Sequence, residues 1–93
     1  MARFTTRVEL HYATEADYQV LHSAMELRGF SRLVGANDGR RYHLPPAEYD
    51  LSGTASINDV LQGAQSAIAE IHKTGAVLVT EAVRRSWVGL RPA

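Results

Sequence analysis

The sequence contains no cysteine, only three prolines and a single lysine, Lys73. The lack of cysteine excludes disulfide bonds, thiolate metal sites and cysteine nucleophiles. No apolar run approaches the ~20 residues that a membrane-spanning helix needs, and the start MARFTTRVEL does not read as a signal peptide. We therefore expect a soluble protein of the cytoplasm with no membrane partner.

Neither sign of charge is in excess, because ten basic residues balance ten acidic ones. This balance argues against a nucleic-acid binder that relies on bulk charge. Nine of the ten basic residues are arginine, whose planar fork suits phosphate better than lysine does. A genome rich in G and C would favour arginine codons and explain the same bias.

The length of 93 residues indicates one domain that covers residues 1–93. A chain of this size buries roughly 60–65% of its unfolded surface, which suffices for one core between two layers. A deep enclosed pocket is not expected. Any site would lie on a sheet face or at a dimer seam.

Apolar periodicity and capping residues predict the first half of the fold. Residues 3–12 alternate between apolar and polar side chains, as in a half-buried strand. Thr14 with Asp17 forms a capping-box pattern that starts a helix, and Gly29 follows its end.

The next stretch reads as a hairpin. Residues 30–35 and 40–44 form its strands, Asn37-Asp38-Gly39 turns the chain and Pro45-Pro46 ends the second strand. Residues 45–55 are expected to be an irregular loop with a short extended piece at 49–51.

The second half repeats the helix–strand pattern. Ser56 with Asp59 caps a second helix, Gly75 ends it and residues 76–82 form a strand. A further short strand at 86–90 would complete a C-terminal hairpin. The order β-α-β-β-α-β predicts an α+β, ferredoxin-like two-layer sandwich, with an antiparallel sheet and two helices on one of its faces.

In such a fold the strands at 3–12 and 40–44 should lie side by side or nearly so. Their polar side chains would then form one open face. Arginines there could neutralise phosphate, a histidine could transfer protons and an aromatic ring could stack on a base. The candidates are Arg7, Arg40, Arg41 and Tyr42 for RNA binding, and His43 or His11 for catalysis.

The alternative is an ordinary solvated sheet face, balanced by Glu9 and Glu81. No histidine spacing resembles a metal site, and no glycine-rich loop suits a phosphate-bearing cofactor. The sequence therefore indicates neither a metal nor a cofactor.

Several stretches along the chain carry a resemblance: RFTTRVELH, the GF pair after the first helix, YHLPPAEY and AVLVTEA. The chain resembles small bacterial proteins grouped with GhoS, the endoribonuclease antitoxin of type V toxin–antitoxin systems. That family has a ferredoxin-like fold similar to a CRISPR-associated nuclease family. The resemblance implies a small ribonuclease that cleaves the mRNA of a toxin. It transfers no catalytic residue, and His11-Tyr12 stands where the nuclease pattern has an aspartate.

Two hypotheses follow for the function. The first is an antitoxin-type endoribonuclease that cleaves or binds single-stranded mRNA. The second is a non-enzymatic dimerising module, whose exposed edge at residues 77–79 would pair with a second copy or a partner. A homodimer is expected in either case.

Overall fold

The computed structural model describes all residues 1–93 and shows an α+β protein. Five strands and two helices follow one another as β1 (Ala2–Leu10), α1 (Glu15–Glu26), β2 (Leu33–Gly35), β3 (Arg41–His43), β4 (Glu48–Gly53), α2 (Ile57–Glu70) and β5 (Gly75–Glu81). The strands form a three-stranded antiparallel sheet and a separate two-stranded one.

Strand β1 is the centre of the larger sheet, whose order is β4-β1-β5. It pairs antiparallel with both neighbours, so that Thr6 lies between Tyr49 and Val79. Its even-numbered residues Phe4, Thr6, Val8 and Leu10 are buried, whereas its odd-numbered ones face away from the core. The alternation read from the sequence is therefore confirmed, and β1 has one buried and one open face.

Both helices begin where their capping patterns predict. The Thr14 hydroxyl accepts a hydrogen bond from the backbone N–H of Asp17, and the Asp17 carboxylate accepts one from the N–H of Thr14. Ser56 and Asp59 repeat this arrangement at α2. Each helix contributes its apolar stripe to a single core with β1 and β4; the helical members are Leu21, Ala24, Met25, Val60, Ala64, Ala67 and Ile68. The helices thus cover the same face of the larger sheet.

The close approach of β5 to β1 explains the glycine at the start of β5. A Cβ atom on Gly75 would lie 2.6 Å from the carbonyl oxygen of Glu9. Such a contact is too short for any side chain, so glycine allows the register in which Gly75 opposes Leu10.

The hairpin turn is confirmed, but its place in the fold differs from the prediction. Strands β2 and β3 pair with each other, and Gly39 adopts a φ of +85° in the turn between them. The expectation that residues 40–44 lie beside β1 is wrong, because β4 occupies that position. Backbone hydrogen bonds between Ser31 and Asp50 join the start of the hairpin to the larger sheet.

Residues 48–53 were expected to be loop with a short extended piece at 49–51, and they form a full strand in the place expected for the hairpin. Tyr49 is fully buried and Leu51 packs against the core, so alternate side chains of this strand make apolar contacts with the core. Pro45-Pro46 precede this strand and Gly53 is its last residue, and these breaker residues made the segment resemble a loop.

The C-terminal pairing also falls later than predicted. Residues 86–90 form no strand, and Gly89 interrupts them with a φ of +82°. Instead Pro92 forms an isolated bridge to Tyr42, so the last residues run along β3.

Candidate nucleic-acid interface

The hairpin and the C-terminal segment form one structural unit, which we call the basic module and define as residues 31–46 and 82–93. The backbone N–H of His43 donates to the carbonyl oxygen of Arg91 at 2.8 Å, and the N–H of Ala93 donates to that of Arg41 at 2.9 Å. The rings of Tyr42 and Trp87 pack edge to face, with centroids 5.8 Å apart. Two distant parts of the sequence therefore present a common surface.

An ion pair anchors this module to the larger sheet. Nη1 of Arg85 lies 2.6 Å from Oδ1 of Asp50 and also donates to Oγ1 of Thr5 at 3.1 Å. Both charged side chains are only 17% exposed. Arg3 adds a hydrogen bond to the carbonyl oxygen of Val83. The module is thus held against β1 and β4.

The charge of the protein is divided unequally between this module and the remainder. The module carries six arginines and a single acidic residue, Asp38, which gives it a formal charge of +5. The remaining residues contain four basic and nine acidic side chains, a formal charge of −5. Asp50, which lies outside the module, offsets the charge of Arg85, so the charge that the module presents is about one unit smaller than this count. The net charge of zero still conceals one basic surface.

Four shallow depressions open on or beside the module. One of them is lined by Glu48 together with Arg84 and Arg85, whereas no acidic side chain lines the other three. The first, of about 240 Å³, lies between Arg3, Asn37 and the Tyr42–Trp87 pair. The second, of about 660 Å³, is lined by Arg40, Arg41 and again Tyr42. The third, of about 330 Å³, is lined by Arg32, His43 and Arg91.

Four of the six candidate site residues lie in this module. Arg40, Arg41 and Tyr42 share the second depression, and His43 lines the third. Arg41 makes no ion pair, and Arg40 is 3.7 Å from Asp38 with both side chains largely exposed. These arginines are therefore free to contact an anion.

The other two candidates lie elsewhere. Arg7 is exposed on the open face of β1, where it lines a small depression with Glu9 and Leu78. His11 follows the end of β1, and its Nδ1 lies 3.4 Å from the hydroxyl of Thr74. His11 and His43 line no common depression, so the structure does not bring the two proposed catalytic histidines together.

Sequence reasoning missed Arg32, Arg85 and Arg91 as parts of this surface. Arg85 and Arg91 contribute because the C-terminal segment returns to β3, a pairing that no local pattern reveals. Arg32 directly precedes β2. A segment-by-segment count of charge would have shown the basic bias of residues 31–46 and 82–93.

A buried polar pair joins α1 to β4, where Nδ1 of His22 is 2.7 Å from the hydroxyl of Tyr49. Burial lowers the pKa of His22, and the positive charge of Arg32 lowers it further. Burial also raises the pKa of Tyr49 well above its ordinary value, so its hydroxyl stays neutral. The pair is part of the core, and both groups are uncharged at neutral pH.

The chain contains no group of three or more histidine, aspartate or glutamate side chains arranged to hold a metal ion. Neither helix has the length and apolar character needed to cross a membrane. No protein-family model matches the chain, and no curated protein is similar to it.

Proposed function

We propose that this protein binds single-stranded RNA through the basic module, as the antitoxin hypothesis expects. The observation that carries the proposal is the separation of charge. The basic module holds six arginines, one acidic residue and the Tyr42–Trp87 pair, and it is joined to an acidic body. A polyanion would be attracted to this end of the molecule and repelled by the other.

The surface combines the two contacts that single strands require. Arg40 and Arg41 are exposed and available for phosphate groups, whereas Tyr42 and Trp87 are partly exposed aromatic rings that suit base stacking. Open depressions fit unpaired nucleotides better than they fit a rigid duplex. Such contacts favour binding with little dependence on base sequence.

The arrangement of elements also supports a ferredoxin-like fold. The helices α1 and α2 each connect two strands of a split β-α-β pattern, and Ser31 pairs with β4 on the side away from β1. The spatial order is then β5, β1, β4 and the segment at Ser31, which is the order of that sandwich. The basic hairpin extends the edge of the sheet.

RNA cleavage is the part of the antitoxin hypothesis that rests on the resemblance alone. Among the proposed catalytic residues, His43 is the one that lies at the basic module, and we assign it the proton-transfer role. His11 lies outside this surface. A protein that acts on mRNA in this way would work in the cytoplasm.

Fluorescence anisotropy with a labelled single-stranded RNA tests the binding function. The double variant Arg40→Gln/Arg41→Gln should bind about tenfold or more weakly, because it loses two charge-assisted contacts. The slope of log K against log salt should also fall by about 0.7 for each phosphate contact removed.

Arg7→Gln is the control, since Arg7 is also exposed but lies on the open face of the larger sheet. It should bind RNA as the unmodified protein does. Equal affinities for all three proteins, or no RNA binding by any, would overturn the proposed function.

A second candidate function is dimerisation through β5. This strand is at the edge of the larger sheet with no partner on its outer side, and Leu78 is 64% exposed. Light scattering on the unmodified protein and on Leu78→Lys tests it. A dimer that the substitution dissociates supports the candidate, and a monomer at all concentrations counts against it.

A further inference from the structure

Arg32 is a half-buried cation without a counter-ion. Its side chain forms no ion pair, and its Nε is buried with no hydrogen-bond acceptor. Its charge acts on the buried pair His22 and Tyr49, so the guanidinium lies close to the core rather than free in solvent. A cation in such a position is costly unless an anion compensates it.

The backbone around Arg32 is fixed. The carbonyl oxygen of Arg32 accepts a hydrogen bond from the N–H of Leu44 at 2.8 Å, and Ser31 is tied to Asp50 through both of its backbone groups. The N–H of Leu33 donates to the hydroxyl of Ser31. Arg32 therefore starts from a rigid position, which reduces the entropy lost when it binds a ligand.

Two further cationic or polar donors converge on the same depression. His43 and Arg91 line it together with Arg32, and their backbones are joined by the 2.8 Å hydrogen bond from His43 to Arg91. Neither side chain is engaged by a carboxylate. No acidic side chain lines the depression, and its other walls are formed mainly by Pro45, Pro46 and Leu90.

We propose that Arg32, His43 and Arg91 form a binding site for a phosphate group. Two guanidinium forks and one imidazole around an open depression match the several acceptor oxygens of phosphate. The site holds one phosphate of the bound RNA strand. This identification of the natural ligand as RNA rests on the proposed function. The phosphate belongs either to the 5′ end of the strand or to its backbone.

The first test uses inorganic phosphate alone, with the ring protons of His43 followed by NMR and chloride at equal ionic strength as the reference. Phosphate should shift these signals in a saturable manner and raise the Tm, because it binds only the folded protein. Arg32→Gln should lose the shift, and Arg91→Gln should weaken phosphate binding by about tenfold.

Arg84→Gln is the matched control, since Arg84 is exposed in the same segment but does not line this depression. It should retain the full response. If Arg32→Gln fails to fold, Arg91→Gln alone decides the matter, because Arg91 is exposed and its backbone contact is kept. No saturable shift in the unmodified protein, or equal shifts in every variant, would overturn the site.

The second test compares RNA oligonucleotides that carry a 5′-phosphate or a 5′-hydroxyl group. Preference for the 5′-phosphate that disappears in Arg91→Gln identifies the terminal phosphate. An equal loss of affinity for both oligonucleotides identifies a backbone phosphate.

The two proposals can fail separately. Phosphate binding without RNA binding would leave the site and remove the proposed function. RNA binding without any response to phosphate or to Arg91→Gln would leave the function and remove the site.

Discussion

The ring of Tyr42 packs edge to face against that of Trp87, with an interplanar angle of 61°. Tyr42 also bridges through its backbone to Pro92, so contacts on both sides of this tyrosine hold the C-terminal segment on the hairpin. A two-stranded hairpin by itself is only marginally stable in water. The aromatic contact therefore has a structural role as well as a proposed role in stacking.

Trp87→Ala should loosen the C-terminal segment. The free energy of unfolding should fall by about 1–2 kcal/mol, because the variant loses an aromatic pair and part of a buried surface. Urea denaturation measures this change, and trypsin should cut faster after Arg84 and Arg85. Trp87→Phe, which keeps an aromatic ring, should behave almost like the unmodified protein. Unchanged stability and cleavage in Trp87→Ala would show that the ring pair does not hold the segment.

Local signals were enough to predict most elements of the fold. The alternation of β1, the capping boxes at Thr14 and Ser56 and the turn at Gly39 all depend on residues within a few positions of each other. Each of these was found in the structure. Short-range steric and hydrogen-bonding rules decide such features, so a single sequence reveals them.

Pairing partners could not be predicted in the same way. Strand β4 takes the place beside β1 because Tyr49 and Leu51 enter the core there, while the hairpin is left at the edge. Packing across the whole protein decides which of the two segments, β4 or the hairpin, pairs with β1. The candidate site was accordingly half predicted: Arg40, Arg41, Tyr42 and His43 lie together, but their neighbours come from the C-terminal segment.

The ion pair between Asp50 and Arg85 should contribute substantially to stability. Asp50→Ala should lower the free energy of unfolding by about 2–3 kcal/mol, because it leaves the mostly buried Arg85 without its partner. Asp38→Ala is the comparison, since it removes only exposed contacts to Arg40, a 3.7 Å ion pair and a 2.9 Å hydrogen bond from the backbone N–H. That change should cost roughly 0–1 kcal/mol. Thermal or urea unfolding of both variants checks the contrast, and similar losses in the two would contradict it.

Replacement by valine should change the free energy of unfolding in opposite directions at Thr6 and at Thr5. The hydroxyl of Thr6 is fully buried and has no hydrogen-bond partner, whereas that of Thr5 accepts a hydrogen bond from Arg85. Thr6→Val should raise the free energy of unfolding by about 1 kcal/mol, because it removes an unsatisfied polar group. Thr5→Val should lower it by about 1 kcal/mol. Urea denaturation of the two variants measures the difference, and a loss in both would show that the Thr6 hydroxyl is satisfied in solution.

The buried His22 should make folding sensitive to mild acid. Its folded-state pKa lies below the unfolded value of 6.5, first because of burial and second because of the charge of Arg32. As the pH falls below 6.5, His22 is therefore protonated in the unfolded chain while it stays neutral in the folded protein. The contribution of neutral His22 is fully present above pH 6.5 and is lost as the pH falls toward the folded-state pKa.

Urea denaturation at a series of pH values between about 5 and 8 tests this dependence. The unmodified protein should lose stability on acidification, and His22→Gln should show a flatter profile from a lower starting stability, because it loses the native contact with Tyr49. His11→Gln changes an exposed histidine and should keep the original slope. Asp17 does not confuse the result, since its pKa is held below 3.8 by hydrogen bonds to Thr14 and by Lys73, outside this range. An equal slope in His22→Gln would assign the acid sensitivity to another group.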